Sequence, residues 1–360
     1  MYLEHYGLMD YPFRLTPDTE FLYMSSGHAR AKAYIDYSVW NREGFVVITG
    51  EIGCGKTMLL KKLLSELDDE TVLAAKLFQT QLDDTEFLQA VLVEFGLNPF
   101  NAKKVELTDM LNTFLLNSYQ ELKQLVLIVD DAHNLSMRAL EELRMLSGLE
   151  TQKEKILHII LVGQPQLNEI LDRPEMEQLV QRVRLRFHLR ALSLEDVTAY
   201  IAHRLKVAGA SRNNIFTPET SSIIFKYTGG VPRLINTLCD TALTVAYADD
   251  LPGVDLSVMK EAIEELQWQP YERRHGAQKG KAASRDVRTK SGGDNGEFLE
   301  KINQRFRQMD NLGPAMTLVA DRMARIEGLL ARIADHMDAN PEKGKAALPG
   351  APRKPGGKDR

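Results

Sequence analysis

The hydrophobic pattern of residues 1–192 alternates between short apolar runs and longer segments with helical periodicity. The apolar runs predict five strands: Phe45–Thr49, Val72–Leu77, Leu125–Val129, Ile156–Val162 and Arg184–Leu189. The segments between them predict helices, among them Lys56–Leu67, Thr85–Phe95, Leu107–Leu122 and Ser136–Gly148. Strands that alternate with helices are typical of an α/β domain with a mostly parallel sheet, so we expect that fold for residues 1–192.

Beyond residue 192 the pattern becomes purely helical. Residues 193–268 predict a small helical domain, because no further β-rich run interrupts their amphipathic periodicity. Four helices are expected in it: Leu194–Val207, Thr217–Tyr227, Val231–Tyr247 and Asp255–Leu266.

The rest of the chain divides into three segments. Residues 269–296 are polar and rich in Lys and Arg, which predicts a basic disordered linker. Apolar residues return in 297–338 at alternating spacings of three and four, the heptad pattern of a coiled coil or of a long helix that packs on a partner. Residues 339–360 are rich in Pro, Gly and Lys and predict a disordered tail.

Composition is that of a folded protein. Of the 360 residues, 44% are hydrophobic and 26% are charged, which excludes disorder along the whole chain. The formal net charge of -5 gives no overall attraction to nucleic acid or anionic lipid. Two distant cysteines, Cys54 and Cys239, exclude a disulfide framework and a zinc knuckle and suit a reducing cytoplasm.

The sequence predicts no transmembrane segment. Its apolar runs are all shorter than the roughly 20 residues that a spanning helix needs. The N-terminus also lacks the basic start and apolar core of a signal peptide. We therefore expect a cytoplasmic protein, or one that a partner holds at a membrane surface.

A phosphate-binding motif follows the first predicted strand. Residues Gly50–Thr57, called the P-loop below, fit G-x-x-x-x-G-K-[ST] at every position and precede a predicted helix. The backbone N–H groups of such a loop hold phosphate oxygens, so ATP and Mg²⁺ are the expected ligands. Lys56 is expected to reach the β- and γ-phosphates and Thr57 to ligate Mg²⁺. The predicted nucleotide-binding set is the whole loop: Gly50, Glu51, Ile52, Gly53, Cys54, Gly55, Lys56 and Thr57.

Two carboxylates follow the third predicted strand. Residues 125–131 read LVLIVDD, an apolar strand with an acidic pair at its end. Downstream of a P-loop this pattern is typical of a Walker B segment, in which Asp130 holds Mg²⁺ through its water shell. Asp131 would then orient or deprotonate the attacking water. The alternative is that the pair only caps the next helix, because Asp is a common N-cap residue.

Six segments, in this order and spacing, resemble the general secretion pathway protein A family of AAA+ ATPases, which includes relatives from exosortase and polysaccharide export loci. They are YGLMDYPFRLTPDTEFLYMSSGHARA, GFVVITGEIGCGKT, LIVDDAHNLS, ILVGQPQL, LVQRVRLRFHLRALS and TGGVPRLINTLCDTAL, within residues 1–268. The resemblance implies a P-loop NTPase fold of the AAA+ type, with a parallel five-stranded sheet. Residues 193–268 would form its helical lid, and ATP and Mg²⁺ would be its ligands.

The resemblance also implies roles for polar residues outside the P-loop. Gln164 takes the sensor 1 position, where a polar side chain contacts the γ-phosphate and positions water; its alternative is a simple turn residue. Arg233 takes the sensor 2 position of the lid; its alternative is a surface salt bridge. Arg182, ahead of Arg184 and Arg186, is the first choice for an arginine finger that completes the site of a neighbouring subunit. A homo-oligomer is therefore expected, although these arginines could also be ordinary solvated residues.

Three residues carry further alternatives. Asp131 stands where most AAA+ proteins carry Glu, and its side chain is one methylene shorter, so slow hydrolysis is expected. Phe13 lies in a segment that runs over the adenine side in the family, and it either stacks there or packs in the core. Cys54 either makes ATP binding sensitive to oxidation or serves only as a small residue.

Three functions remain open at this point. The first is an oligomeric ATPase switch that assembles or energises a secretion or exopolysaccharide export system. It would lie in the cytoplasm or peripherally at the inner membrane and bind a membrane component through the C-terminal heptad helix. The second is a DNA-associated AAA+ ATPase, similar to transposition helpers and replication initiators, with phosphate contacts from the basic linker. A third hypothesis, a scaffold that binds ATP and hardly hydrolyses it, follows from Asp131.

Well-known family members continue into a transmembrane helix and a peptidoglycan-binding domain, so cell-wall binding is not carried over to this sequence.

Overall fold

The computed structural model describes residues 2–40, 44–68, 70–78, 80–150, 154–212 and 214–274. The strands within these ranges are β1 Phe45–Gly50, β2 Val72–Leu77, β3 Gln124–Val129, β4 Leu157–Gly163 and β5 Leu185–Leu189. The helices there are α1 Tyr2–Tyr6, α2 Ser26–Trp40, α3 Lys56–Glu66, α4 Asp84–Glu94, α5 Lys104–Gln120, α6 Met137–Leu146, α7 Gln166–Leu171, α8 Glu177–Val180, α9 Leu194–Val207, α10 Thr220–Thr228, α11 Pro232–Ala248 and α12 Leu256–Glu265.

The five strands form one parallel sheet in the order β2-β3-β4-β1-β5. Each lies within one residue of its predicted bounds, and the predicted fold class is confirmed. Strands β1 and β4 are buried along their whole length, because helices cover both faces of the sheet; this explains their unbroken apolar runs. The carboxyl ends of parallel strands share one edge, so the segments that follow Gly50, Val129 and Gly163 meet there.

Two helices begin three residues away from their predicted starts, and the other predicted helices begin within one residue of theirs. Helix α5 begins at Lys104, three residues before the predicted Leu107, because the Glu106 carboxylate accepts a hydrogen bond from the Lys103 N–H at 2.7 Å and so caps the helix earlier. Helix α10 begins three residues after the predicted Thr217. The Thr217 N–H donates to the Val254 carbonyl at 3.0 Å, which holds that residue outside the helix.

A second hydrophobic core joins helices α9–α12 to the N-terminal segment. Phe13, which is 1% exposed, packs edge-on against Phe216 with ring centroids 5.8 Å apart. The Tyr2 hydroxyl donates to Asp240 at 2.6 Å. The core also buries Tyr6, Leu8 and Phe21 among residues of the lid. Phe13 therefore follows the core-packing alternative, and residues 2–21 share their core with the lid.

Other predictions rest on residues that this structure leaves undescribed. The heptad segment 297–338, the tail 339–360 and the linker 269–296 beyond residue 274 lie outside the described residues. The division of the chain at residue 192 stays a prediction. Among the described residues, no helix combines the length and the apolar character that crossing a membrane requires.

Replacing Phe13 by Ala should destabilise the protein by about 3–5 kcal/mol, because the change leaves a cavity in the shared core. Urea denaturation of the two proteins measures this difference. The matched control is Val105→Ala on helix α5, where the side chain is 80% exposed and its truncation should change stability by less than about 0.5 kcal/mol. An equally small effect of Phe13→Ala would contradict the shared core.

Candidate functional site

The P-loop connects β1 to α3 through two glycines in the left-handed region. Gly53 has φ 83° and Gly55 has φ 93°, a conformation that residues with a Cβ rarely adopt. Space is a second constraint. A Cβ at Gly53 would lie 2.6 Å from the Cβ of Arg233, and one at Gly55 would lie 2.9 Å from Nε2 of His28. Both positions therefore require glycine for conformation and for close approach.

Lys56 opens α3 and folds back over the loop. Its Nζ donates hydrogen bonds to the carbonyl oxygens of Gly50 at 2.7 Å and Glu51 at 2.9 Å. The side chain is buried, and burial lowers its pKa from the ordinary lysine value. The ammonium group is thus held inside the curve of the loop, where a phosphate chain would pass.

Thr57 and Asp130 meet beneath the loop. The Thr57 hydroxyl donates to Oδ2 of Asp130 at 2.7 Å, and the Asp131 N–H donates to Oδ1 at 2.9 Å. Asp130 is 5% exposed, and burial raises the pKa of its carboxyl, while these two hydrogen bonds act in the opposite direction. Two oxygen atoms that could ligate a metal ion, from different elements, therefore lie side by side at the edge of the sheet.

Asp131 and Gln164 come together through His133. Asp131 adopts φ 49°, and its carbonyl accepts a hydrogen bond from the Thr80 hydroxyl at 3.1 Å. Its Oδ1 lies 3.8 Å from Nδ1 of His133. The same nitrogen accepts a hydrogen bond from the Gln164 N–H at 3.5 Å. The segments after β3 and β4 are thus linked where both strands end.

The lid contacts the P-loop at the start of α11. The Arg233 N–H donates to the Gly53 carbonyl at 3.3 Å. The preceding turn is tightly packed, because a Cβ on Gly230 would collide with the Leu192 carbonyl. This turn places Arg233 at the wall of the cavity described below.

These residues surround one cavity of about 420 Å³. Its walls come from the P-loop, the strand ends, the N-terminal segment and the lid. The lining residues include Arg14, Tyr23, His28, Ile52, Gly53, Gly55, Lys56, Thr57, Asp131, Gln164, Tyr200, Arg204, Arg233 and Asn236. The structure therefore brings together most of the site residues that the sequence predicts, from four separate parts of the chain.

Arg182 lies elsewhere. Its Nη1 donates to the Arg144 carbonyl and, at 2.9 Å, to the Ser147 hydroxyl, so it binds the carboxyl end of α6. Arg186, one of the two other candidates, pairs with Asp172 at 3.0 Å. Among the described residues, Arg182 does not line the cavity of its own chain.

A buried polar network that the sequence did not predict forms the lid side of the cavity. Arg204 donates from Nε to the Pro12 carbonyl, and its guanidinium lies over the Phe21 ring at 4.8 Å. The Tyr200 hydroxyl donates to Asn236 at 2.7 Å. The sequence does contain a sign of this network, because Arg204 occupies an apolar position of α9, on the buried face of the helix.

Comparisons with known proteins agree with this geometry. Residues 40–171 match the model of an AAA domain. The chain is 40% identical over 250 residues to the general secretion pathway protein A of Aeromonas hydrophila, which confirms the predicted resemblance. This match covers 69% of the chain but 45% of the relative, so the chain spans less than half of that protein's length.

Solved structures share the fold at low sequence identity. The ORC2 protein of Aeropyrum pernix, solved as ADPNP-ADP complexes, superposes with a TM-score of 0.54 at 19% identity, over 71% of each chain. The Cdc6p of Pyrobaculum aerophilum gives a TM-score of 0.54 at 15% identity, over 71% of this chain and 70% of the other. At these identities the likeness shows the fold alone.

Cys54 should be unreactive in the folded protein. It is fully buried, and burial raises its pKa to about 11, so the thiolate fraction at pH 8 is on the order of one in a thousand. Iodoacetamide labelling at pH 8, read by mass spectrometry, should modify Cys54 at least about 100-fold more slowly in native than in urea-denatured protein. Equal labelling rates would instead support the oxidation-sensitive alternative.

Proposed function

Because this chain carries an AAA domain on a P-loop fold of the AAA+ type, we propose that it binds ATP with Mg²⁺ and hydrolyses it. One observation carries the proposal. Five residues of the P-loop line a single cavity together with Asp131, Gln164 and Arg233, and Asp130 is hydrogen-bonded to Thr57 at its floor. The cavity volume of about 420 Å³ lies within the range that small-molecule sites occupy.

The donor set at the cavity floor fits Mg²⁺. Among the described residues no group of three or more His, Cys, Asp or Glu side chains could hold a metal by itself. Thr57 and Asp130 offer only two adjacent oxygens, as expected for an ion that keeps water and phosphate oxygens as its other ligands. When bound, Mg²⁺ neutralises charge on the phosphate oxygens.

The P-loop would bind the phosphates of ATP through its backbone N–H groups and the Lys56 ammonium. Asp131 would orient the attacking water, and the Gln164 amide would contact that water and the γ-phosphate. Arg233 would connect the lid to the phosphates, because its main chain is already bonded to Gly53. We expect slow turnover, since an Asp side chain reaches less far than the Glu of most AAA+ proteins.

We further propose that the working form is a homo-oligomer in which Arg182 acts on a neighbour's ATP. Its place beside α6, outside the cavity of its own chain, supports this role. A guanidinium fixed by two hydrogen bonds is well suited to a defined contact with phosphate.

The similarity to the general secretion pathway protein A of Aeromonas hydrophila supports a role as a switch that assembles or energises a secretion or export system. We place this role in the cytoplasm or at the inner membrane surface. The C-terminal heptad helix would bind the membrane component. Tyr271, near the end of the described chain, packs on Gly229 in the turn before Arg233.

Asp131 should control turnover. Replacing it by Asn removes the water-orienting carboxylate and should lower ATP turnover about 10²-fold, whereas Asp131→Glu should keep or raise it. Steady-state phosphate release measures both rates, with Lys56→Ala as the background control. If Asp131→Asn hydrolyses ATP at the original rate, Asp131 is not the water-orienting residue. If the original protein binds ATP but hydrolyses it no faster than the Lys56→Ala background, the scaffold hypothesis holds.

A DNA-associated ATPase is the second candidate, resting on the predicted basic linker 269–296. We expect the protein to retain no more duplex DNA on a filter than a variant lacking residues 269–296, at salt from about 50 to 200 mM. Retention that falls steeply with salt and disappears with the linker would favour the DNA-associated function instead.

A further inference from the structure

His28 lines the cavity and lies against the P-loop, and none of the roles proposed above uses its side chain. It belongs to the first turn of α2 and is 3% exposed. Its Nε2 lies 3.0 Å from the carbonyl oxygen of Cys54, and its Nδ1 lies 2.7 Å from the Ser25 hydroxyl. The imidazole therefore bridges the start of a helix to the centre of the P-loop.

The two partners determine where the protons of His28 lie. A carbonyl oxygen only accepts hydrogen bonds, so Nε2 carries a hydrogen and donates it to Cys54. In the neutral ring Nδ1 then accepts from the Ser25 hydroxyl, whose oxygen accepts in turn from the His28 N–H at 3.3 Å. Burial lowers the pKa of His28, which favours this neutral form. Both ring nitrogens of His28 are thus used, Nε2 in the hydrogen bond to Cys54 and Nδ1 in the hydrogen bond from Ser25.

The bond to Cys54 also orients Gly55. The peptide between them is trans, so its carbonyl and the following N–H point in opposite directions. Fixing the Cys54 oxygen therefore fixes the direction of the Gly55 N–H, one of the donors that a P-loop offers to phosphate. No side chain caps α3 at Gly55, so no capping side chain orients this N–H. Glycine also loses more backbone freedom than other residues when it is ordered.

We propose that His28, held by Ser25, is a positioning residue that sets the Cys54–Gly55 peptide of the P-loop before nucleotide binds. The inference rests on the proposed ATP site and adds a residue to it. Preorganisation reduces the entropy that ordering the loop costs on binding, so His28 should act on nucleotide affinity. It touches no reacting atom and should leave the chemical step nearly unchanged.

The experiment compares two substitutions in the full chain. His28→Phe keeps a ring but removes the donor, and it should raise the Kd for Mg²⁺–ATP and Mg²⁺–ADP about 10-fold, the effect of one lost hydrogen bond. His28→Gln retains an N–H near the Nε2 position and should restore most of the affinity. The turnover number at saturating ATP should stay within about 2-fold in both, because transition-state contacts are unaltered.

A matched control separates this role from the loss of any buried histidine. His158 in β4 is 2% exposed and does not line the described cavity. His158→Phe should leave the Kd of both nucleotides unchanged, whatever it does to stability. Thermal melting of each nucleotide-free variant shows whether it is folded. If His28→Phe does not fold, Ser25→Ala decides, and it should raise both Kd values a few-fold.

Several outcomes overturn the proposal. The first is a folded His28→Phe protein that keeps the original Kd. The second is a lower turnover number for His28→Phe at an unchanged Kd. The third is a His28→Gln protein whose Kd is as high as that of His28→Phe. If Ser25→Ala is the variant used, an unchanged Kd also overturns the proposal. Failure of the proposed function looks different, because the unmodified protein itself would then bind no ATP.

Discussion

The P-loop is held from two sides at positions where no side chain would fit. On one side, the lid approaches Gly53 through the Cβ and main chain of Arg233; on the other, His28 approaches Gly55. Both glycines adopt left-handed conformations, so the loop is curved as phosphate binding requires. The rest of the site depends on this close packing, because the loop would otherwise have to be ordered by the nucleotide itself.

The parallel sheet supplies the other half of the site. Since the strands end at one edge, Thr57, Asp130 and Gln164 come close together although they are far apart in sequence. The lid then closes the cavity from the opposite side. It is held in place by the N-terminal segment, which shares its core and is tied to it by Arg204 at Pro12. The same contacts therefore stabilise the lid and shape the lid side of the cavity.

Much of this could be predicted from local sequence. Strands β1 and β4 are buried throughout, so their apolar runs mark their bounds to within one residue. The P-loop pattern is similarly explicit, because its chemistry demands fixed residue types at fixed spacing. The start of α5 was harder, since Glu106 caps it from outside the apolar pattern. A capping interaction depends on one side chain and leaves little trace in periodicity.

Long-range contacts could not be predicted in this way. His28 bonds to Cys54, and Tyr2 bonds to Asp240 across most of the described chain; neither pairing has a local signature. Arg204 was visible as a charge at an apolar position of α9, but its partners were not. Arg182 is a related case, because a role in a neighbour's site depends on how two copies of the chain pack together, which has no local signature in the sequence.

The central claim is that one cavity, formed by the P-loop, the strand ends and the lid, is an ATP site. Isothermal titration of Mg²⁺–ATP into the full chain and into Lys56→Ala tests it most directly. We expect saturable binding of one nucleotide per chain, and we expect Lys56→Ala to abolish it, since Lys56 is the buried cation of the loop. No binding by the original protein, or equal binding by the variant, would contradict it.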